Sequence, residues 1–183
     1  IEYTNTEQIN IFESSQGILL DEEYGLFPNV TRSHVGTKNI LKIVPTIDEI
    51  YLVTRAYTTR HGAGPVLNEN YVLMNHPNEK NIYNKEQGYF KEFTLDINAL
   101  RYAINKDPYI RDHPNVTIIV TCLDHNKYHK FILNGQLSRR YSHKEFVSTL
   151  SQLLRRPCIG NAQESSHRLS NKIKAHQRSK HED

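Results

Sequence analysis

The chain has 183 residues, 37% hydrophobic and 23% charged, enough for one domain with a real core and too little for two. Eight glycines and seven prolines exclude a collagen-like or linker composition, two cysteines (Cys122, Cys158) exclude a disulfide framework, and the most apolar stretch, Val116–Leu123, is too short to span a membrane. The net charge of +3 is uneven: residues 1–50 carry three basic and eight acidic groups, residues 139–183 ten basic and four acidic. Such a basic end suits a solvated face or a nearby nucleotide phosphate; nucleic acid is disfavoured because no aromatics interleave it.

In chain order, Ile9, Ile11 and Phe12 predict a short strand, and Ile18-Leu19-Leu20 a short helix or turn ending near Gly25. Leu26–Thr31 is expected to be extended around Pro28, and 32–46 to be loop with a short helix. Ile50–Val53 predicts a strand leading into a shaped loop, Arg55–Pro65, and 66–93 an irregular excursion that is mobile or functional. Leu95–Ile104 carries a helical rhythm with Thr94 or Asp96 as its cap. Val116–Cys122 predicts a strand covered on both faces, and Tyr128–Leu133 a second one closed by an Asn134-Gly135 turn. Ser142-His143-Lys144-Glu145 is a capping box, and Phe146, Leu150 and Leu153 follow it, so a helix spans 143–154 and stops at Pro157. The tail 163–183 is polar and basic, expected to cover a surface or to be partly disordered. The pattern argues for an α/β fold in one unit.

Three strings carry candidate chemistry. Glu13-Ser14-Ser15-Gln16-Gly17 places a neutral amide, both donor and acceptor, at a strand end; a simple turn is the alternative. Thr58-Thr59-Arg60-His61-Gly62-Ala63-Gly64-Pro65 offers hydroxyls, a guanidinium and glycine amides to an anionic or sugar-bearing ligand, without the Gly-Lys-Ser/Thr of a Walker loop. Thr121-Cys122-Leu123-Asp124 ends the buried strand with a carboxylate able to accept two N–H bonds from a guanine edge, or to cap a turn. His125 and His129 have a spacing that binds zinc on a helix, but helix formation is poor here and no metalloprotease Glu is present, so no metal site is assigned.

These strings, in this order, resemble adenylosuccinate synthetase over roughly residues 10–125. Family patterns are echoed in Glu13–Asp21, Gly25–Ser33, Ala56–Pro65, Leu95–Ala103 and Thr121–Asp124. The resemblance implies a partial synthetase-like α/β fold, a mostly parallel sheet with flanking helices and long loops. It implies a GTP-dependent ligase that joins aspartate to inosine monophosphate, giving adenylosuccinate, GDP and phosphate. By that resemblance Gln16 holds the purine 6-oxygen, Thr31 the 5′-phosphate, and the His61 backbone the ribose, with Thr59, Arg60 and Gly62 in the same substrate loop. Asp124 would read the guanine of GTP.

The family's phosphate loop, catalytic Asp and catalytic His would lie upstream, as would the Mg²⁺ ligands, and the isolated segment is expected to be inactive. A start at Ile1 rather than Met fits that expectation. The family's arginine-rich aspartate loop is replaced by Lys85–Lys91, leaving Lys85 and Lys91 as the cations there. Expected partners are nucleotide and amino acid substrates in a cytoplasmic setting, with a homodimer compatible and no membrane. The alternatives are a non-catalytic nucleotide-binding or interaction protein on the same scaffold, or a synthetase for another purine nucleotide.

Overall fold

The computed structural model describes residues 10–73, 79 and 83–160. Its core is a parallel sheet of three strands in the order β1 (Ile50–Arg55), β5 (Val116–Thr121), β8 (Cys158–Gly160). All six residues of the central strand β5 are buried, which its run Val-Thr-Ile-Ile-Val-Thr permits without alternation. β1 pairs with β5 from Ile50↔Val116 to Arg55↔Thr121, so both strands end at the same edge of the sheet.

A second, mixed sheet forms around β4 (Phe90–Asp96). β2 (Tyr57–His61) runs antiparallel along one edge of β4; β3 (Val72–Leu73) and β6 (Phe131–Leu133) share the other, antiparallel and parallel respectively. β7 (Gln136–Leu137) returns from β6 through Asn134-Gly135, both with positive φ, as the expected turn requires. The α/β expectation therefore holds, with a mixed sheet added to the parallel one.

Three helices follow their caps. α1 (Ile97–Lys106) begins where Asp96 accepts from the Ala99 amide at 3.0 Å. It starts two residues later than the rhythm from Leu95 predicts, because Leu95 and Asp96 close β4. α2 (Pro108–Asp112) is a short turn capped by Asp107. α3 (His143–Leu154) has the expected bounds and the full capping box: the Ser142 hydroxyl accepts from the Glu145 amide, and the Glu145 carboxylate accepts from Ser142. The Ser142 hydroxyl and amide, with Arg139, hold the Glu145 carboxyl down at about 2. Phe146, Leu150 and Leu154 bury one face of α3 against Ala56, Tyr57, Ile118, Val120 and Phe131.

Several local expectations are corrected. Residues 10–12 form no strand; Ile11 and Phe12 are exposed and have no pairing partner among the described residues. Leu26–Thr31 is a tight turn rather than an extended run, closed by Asn29 N–H to Leu26 C=O at 3.0 Å and Thr31 N–H to Leu20 C=O at 2.7 Å. Tyr57–His61 is strand, not loop, because β4 supplies a ladder for it. For the same reason 66–93 is not one irregular excursion: Val72–Leu73 forms β3 and Phe90 and Phe93 are buried in β4, while 74–78 and 80–82 lie outside the described residues. Ile9 and the tail 163–183 also lie outside them.

The 10–49 segment has only two 3-10 turns, Ile18–Leu20 and Ile40–Lys42, so side chains must satisfy its backbone. Two buried carboxylates do so. Asp21 accepts from the amides of Val35, Gly36, Glu23 and Tyr24; Asp107 accepts from the amide and hydroxyl of Thr37 while capping α2. Three consecutive amides, Val35 to Thr37, thus hang between two aspartates. Gly36 is required there, since a Cβ would sit 2.3 Å from the Asp107 carboxylate.

Burial pushes the Asp21 carboxyl up, but the four amides overcompensate and hold it below the usual range. Its stabilisation is therefore complete above the unfolded value near pH 4 and disappears as pH falls through the lower folded value. Asp21→Asn should cost about 1–3 kcal/mol at pH 7, since a buried acceptor becomes in part a donor. In urea unfolding the gap between variant and parent should narrow from pH 5 to pH 2.5.

Candidate functional site

The central string lies on β2 and the turn after it. Antiparallel register sets Tyr57, Thr59 and His61 on one face of the mixed sheet, opposite Thr94, Glu92 and Phe90; Thr58 and Arg60 lie on the other, opposite Phe93 and Lys91. Thr59 and Arg60 therefore do not share a surface. The Arg60 guanidinium, half-buried and lowered in pKa by that burial, donates to the Ala63 carbonyl at 2.9 Å and to the Asn29 carbonyl at 3.3 Å. It folds the Gly62–Pro65 turn back and ties it to the Gly25–Ser33 segment that holds Thr31. Thr31, two residues beyond that contact, is half-buried.

His61 ends β2 with its ring edge-on to Phe90 and Nε2 3.2 Å from the Gly88 carbonyl. The Gly62 amide donates to Tyr89 at 3.2 Å. Gly62 has φ +82°, and a Cβ there would meet the Gln87 carbonyl at 2.3 Å, so only glycine allows the 84–88 turn to close on it. Lys85 sits exposed on that turn; Lys91 is exposed on β4, beside Arg60 and on the face away from His61. The two lysines are thus on different supports.

Asp124 lies in the 3-10 turn Leu123–His125, just past the C-terminal end of β5, where ligands bind in open α/β sheets. Cys122, buried and left-handed at φ 57°, turns the chain there. Asp124 is exposed and makes no hydrogen bond or ion pair with the described residues. Gln16 is exposed too, with φ 75°. The segment after it packs Ile18 against Ile50, Ile110 and Val116, at the N-terminal ends of β1 and β5. The supports of Gln16 and Asp124 thus lie at opposite ends of β1, about 17 Å apart at roughly 3.3 Å per residue. They cannot grip the same base.

Residues outside the predicted set gather beside Asp124. Arg55 forms an ion pair with Glu79 at 2.6 Å, lies over the rings of Tyr57 and Phe90, and donates to the Tyr57 hydroxyl at 3.1 Å. That hydroxyl is 2.8 Å from His125 Nδ1. The alternation Arg55-x-Tyr57 at a strand end was the available signal, hidden because the segment reads as a loop. His125 and His129 do not share a helix: His125 ends the 3-10 turn, and His129, its pKa lowered by burial, directs Nε2 to the Leu123 carbonyl at 3.1 Å.

A sequence model of the adenylosuccinate synthetase family matches residues 2–107, more than half of the 183. The chain belongs to the adenylosuccinate synthetase family. Curated relatives of that name agree. The protein of Petrotoga mobilis (strain DSM 10674 / SJ95) is 37% identical over 101 residues, 51% of this chain and 24% of the relative. That of Saccharomyces cerevisiae (strain YJM789) is 46% identical over 68 residues, 33% of this chain and 16% of the relative. That of Francisella tularensis subsp. novicida (strain U112) is 39% identical over 59 residues, 30% of this chain and 14% of the relative. The chain spans about a quarter or less of the length of these relatives. The stretch matched to the synthetase family holds Gln16, Thr31, Thr59–Gly62, Lys85 and Lys91; Asp124 lies beyond it. No described helix is long and apolar enough to cross a membrane.

Gly62→Ala tests whether the synthetase-like turn depends on this close approach. It should destabilise by about 1–3 kcal/mol, since both φ and the Gln87 carbonyl oppose a side chain. Limited proteolysis should then cut first within 84–89; an unchanged digest would show that the turn closes without it.

Proposed function

We propose that the chain is part of a GTP-dependent ligase that joins aspartate to inosine monophosphate, yielding adenylosuccinate, GDP and phosphate. The observation that carries this reading is the family match over 2–107, within which Arg60 ties the Thr31 segment to the His61–Gly62 turn. In chemical terms a purine 6-oxygen is a poor leaving group until it is phosphorylated; the amine of aspartate then displaces it as phosphate. The residues here bind and orient. Gln16, an exposed neutral amide, hydrogen-bonds the 6-oxygen and its developing charge. Thr31 takes the 5′-phosphate, and the backbone of His61 and Gly62 the ribose, with Thr59 on the His61 face of β2 and Arg60, from the other face, bracing the Thr31 segment against the turn. Lys85 and Lys91 supply positive charge for the carboxylates of aspartate.

Asp124 fits the guanine of GTP. Its carboxylate is exposed, has no partner in the described protein, and accepts from both N1–H and the 2-amino group of guanine. Phosphoryl transfer also uses Mg²⁺, which supplies charge neutralisation when bound. Among the described residues no group of three or more His, Cys, Asp or Glu side chains is placed to hold a metal ion, so no step is assigned to it here.

One observation favours a second reading, a nucleotide-binding protein without ligase activity. Lys91 faces away from His61 and Lys85 projects from a separate turn, so the two cations do not converge as a grip on a dicarboxylate. Lysine also replaces bidentate arginine poorly.

Inosine monophosphate labelled with ¹⁸O at C6 separates the readings in the full-length protein. The ligase transfers the label to released phosphate in the presence of GTP and aspartate; the binder releases no labelled phosphate. Gln16→Ala should lower turnover at least tenfold while changing nucleotide affinity less than about threefold, because the amide acts mainly in the transition state. Asp124→Asn should weaken GTP and improve xanthosine triphosphate, since an amide pairs with a base that presents one donor and one carbonyl.

A further inference from the structure

We propose that Tyr57 and His125 are positioning residues that fix Asp124 for guanine recognition, and that they link the guanine turn to the strand carrying His61. The proposal rests on the reading of Asp124 given above. The Leu123–His125 turn is held at three points. His129 Nε2 donates to the Leu123 carbonyl at 3.1 Å, and His143 Nε2 to the Asn126 carbonyl at 2.8 Å. The third point is the His125 ring, whose Nδ1 lies 2.8 Å from the Tyr57 hydroxyl and whose plane stacks on Tyr57 with centroids 5.7 Å apart. The turn is thus clamped on both sides of Asp124, whose carboxylate is exposed.

The direction of the third bond follows from its neighbours. Arginine can only donate, so the Tyr57 oxygen accepts from Arg55 at 3.1 Å. Burial, Cys122 and Glu92 push the Tyr57 phenol up, against the opposing pull of Arg55, so its proton stays on oxygen. That O–H is then free to donate to His125 Nδ1, which leaves the imidazole proton on Nε2. Arg55 is itself paired with Glu79, whose side chain is buried. The chain Glu79–Arg55–Tyr57–His125 therefore runs from the end of β1 across β2 to the residue next to Asp124. A carboxylate recognises two N–H groups at once only if its orientation is set before the base arrives, so this chain contributes through geometry and does not touch the nucleotide.

The test is guanine discrimination by the full-length protein, measured as the ratio of affinities for GTP and inosine triphosphate, which lacks the 2-amino group. A structural loss elsewhere would weaken both nucleotides equally. Tyr57→Phe and His125→Leu should each reduce the ratio roughly 3- to 10-fold, the range of one hydrogen bond. His125→Asn, which returns an acceptor near the Nδ1 position, should restore most of it. Tyr57→Phe removes only an oxygen and keeps the readout available if the leucine variant does not fold. An unchanged ratio in Tyr57→Phe, with Asp124→Asn still switching preference toward xanthosine triphosphate, overturns the proposal and leaves the guanine reading standing. No change of preference in Asp124→Asn overturns that reading and this proposal with it.

Discussion

Ala56 has to serve two sheets at once. Its amide donates to the Thr121 carbonyl at 2.9 Å, extending the β1–β5 ladder, and the very next residue pairs with Thr94 in the mixed sheet. The chain therefore leaves the parallel sheet at the edge where ligand-binding loops emerge and lays a second sheet beside it. That edge is no longer fully open to water. Arg55, which would be solvated at an ordinary strand end, becomes part-buried and Tyr57 buried, and both need partners. Glu79 and His125 supply them, and the polar chain beside Asp124 is the consequence of the switch at Ala56.

The N-terminal segment solves a different problem. A stretch of about forty residues without strand or α-helix has too few backbone partners of its own, and such loops are uncommon in compact domains. Asp21 and Asp107 take the place of a ladder. One carboxylate gathers four amides from two turns, and the other reaches Thr37 from the junction of α1 and α2. Ser14 adds a bond to the Val35 carbonyl at 2.8 Å, which carries the restraint to within two residues of Gln16. The loop can thus present an exposed amide without being part of a regular element.

What the amino-acid pattern revealed was whatever depends on periodicity or on a local cap. α3 announces itself through Ser142, Glu145 and the Phe146–Leu150 spacing, and β5 through an unbroken apolar run. Tyr57–His61 was hidden because its composition, threonines and an arginine before Gly-Ala-Gly-Pro, is that of a loop; only the β4 ladder makes it a strand. Leu95 fits both the end of a strand and the start of a helix, and tertiary pairing with Phe131 decides for the strand. β8 is three residues after a Pro, too short to stand out before β5 offers its edge. Of the candidate site, the individual residues were legible as strings. Their division between two faces of a sheet was not, because it follows from register with a distant strand.

That division changes what the central string can mean. Consecutive residues of a strand point to opposite faces, so Thr59 and His61 share a surface with Phe90 and Glu92, while Arg60 turns to Asn29 and Ala63. The arginine acts first on the protein's own backbone, tying the Gly62–Pro65 turn to the segment around Asn29; the histidine end, with Gly62, forms the wall against the 84–88 turn. Histidines elsewhere follow the same rule. The rings of His129 and His143 turn to main-chain carbonyls, that of His125 to a phenol, and all three brace one turn. The i, i+4 spacing of His125 and His129 would suit a metal only on a helix, and each of the three has a ring nitrogen committed to a protein partner at a different point of the Leu123–Asn126 backbone or beside it. The imidazoles work here as rigid hydrogen-bonding struts, and the group they leave exposed is the carboxylate of Asp124.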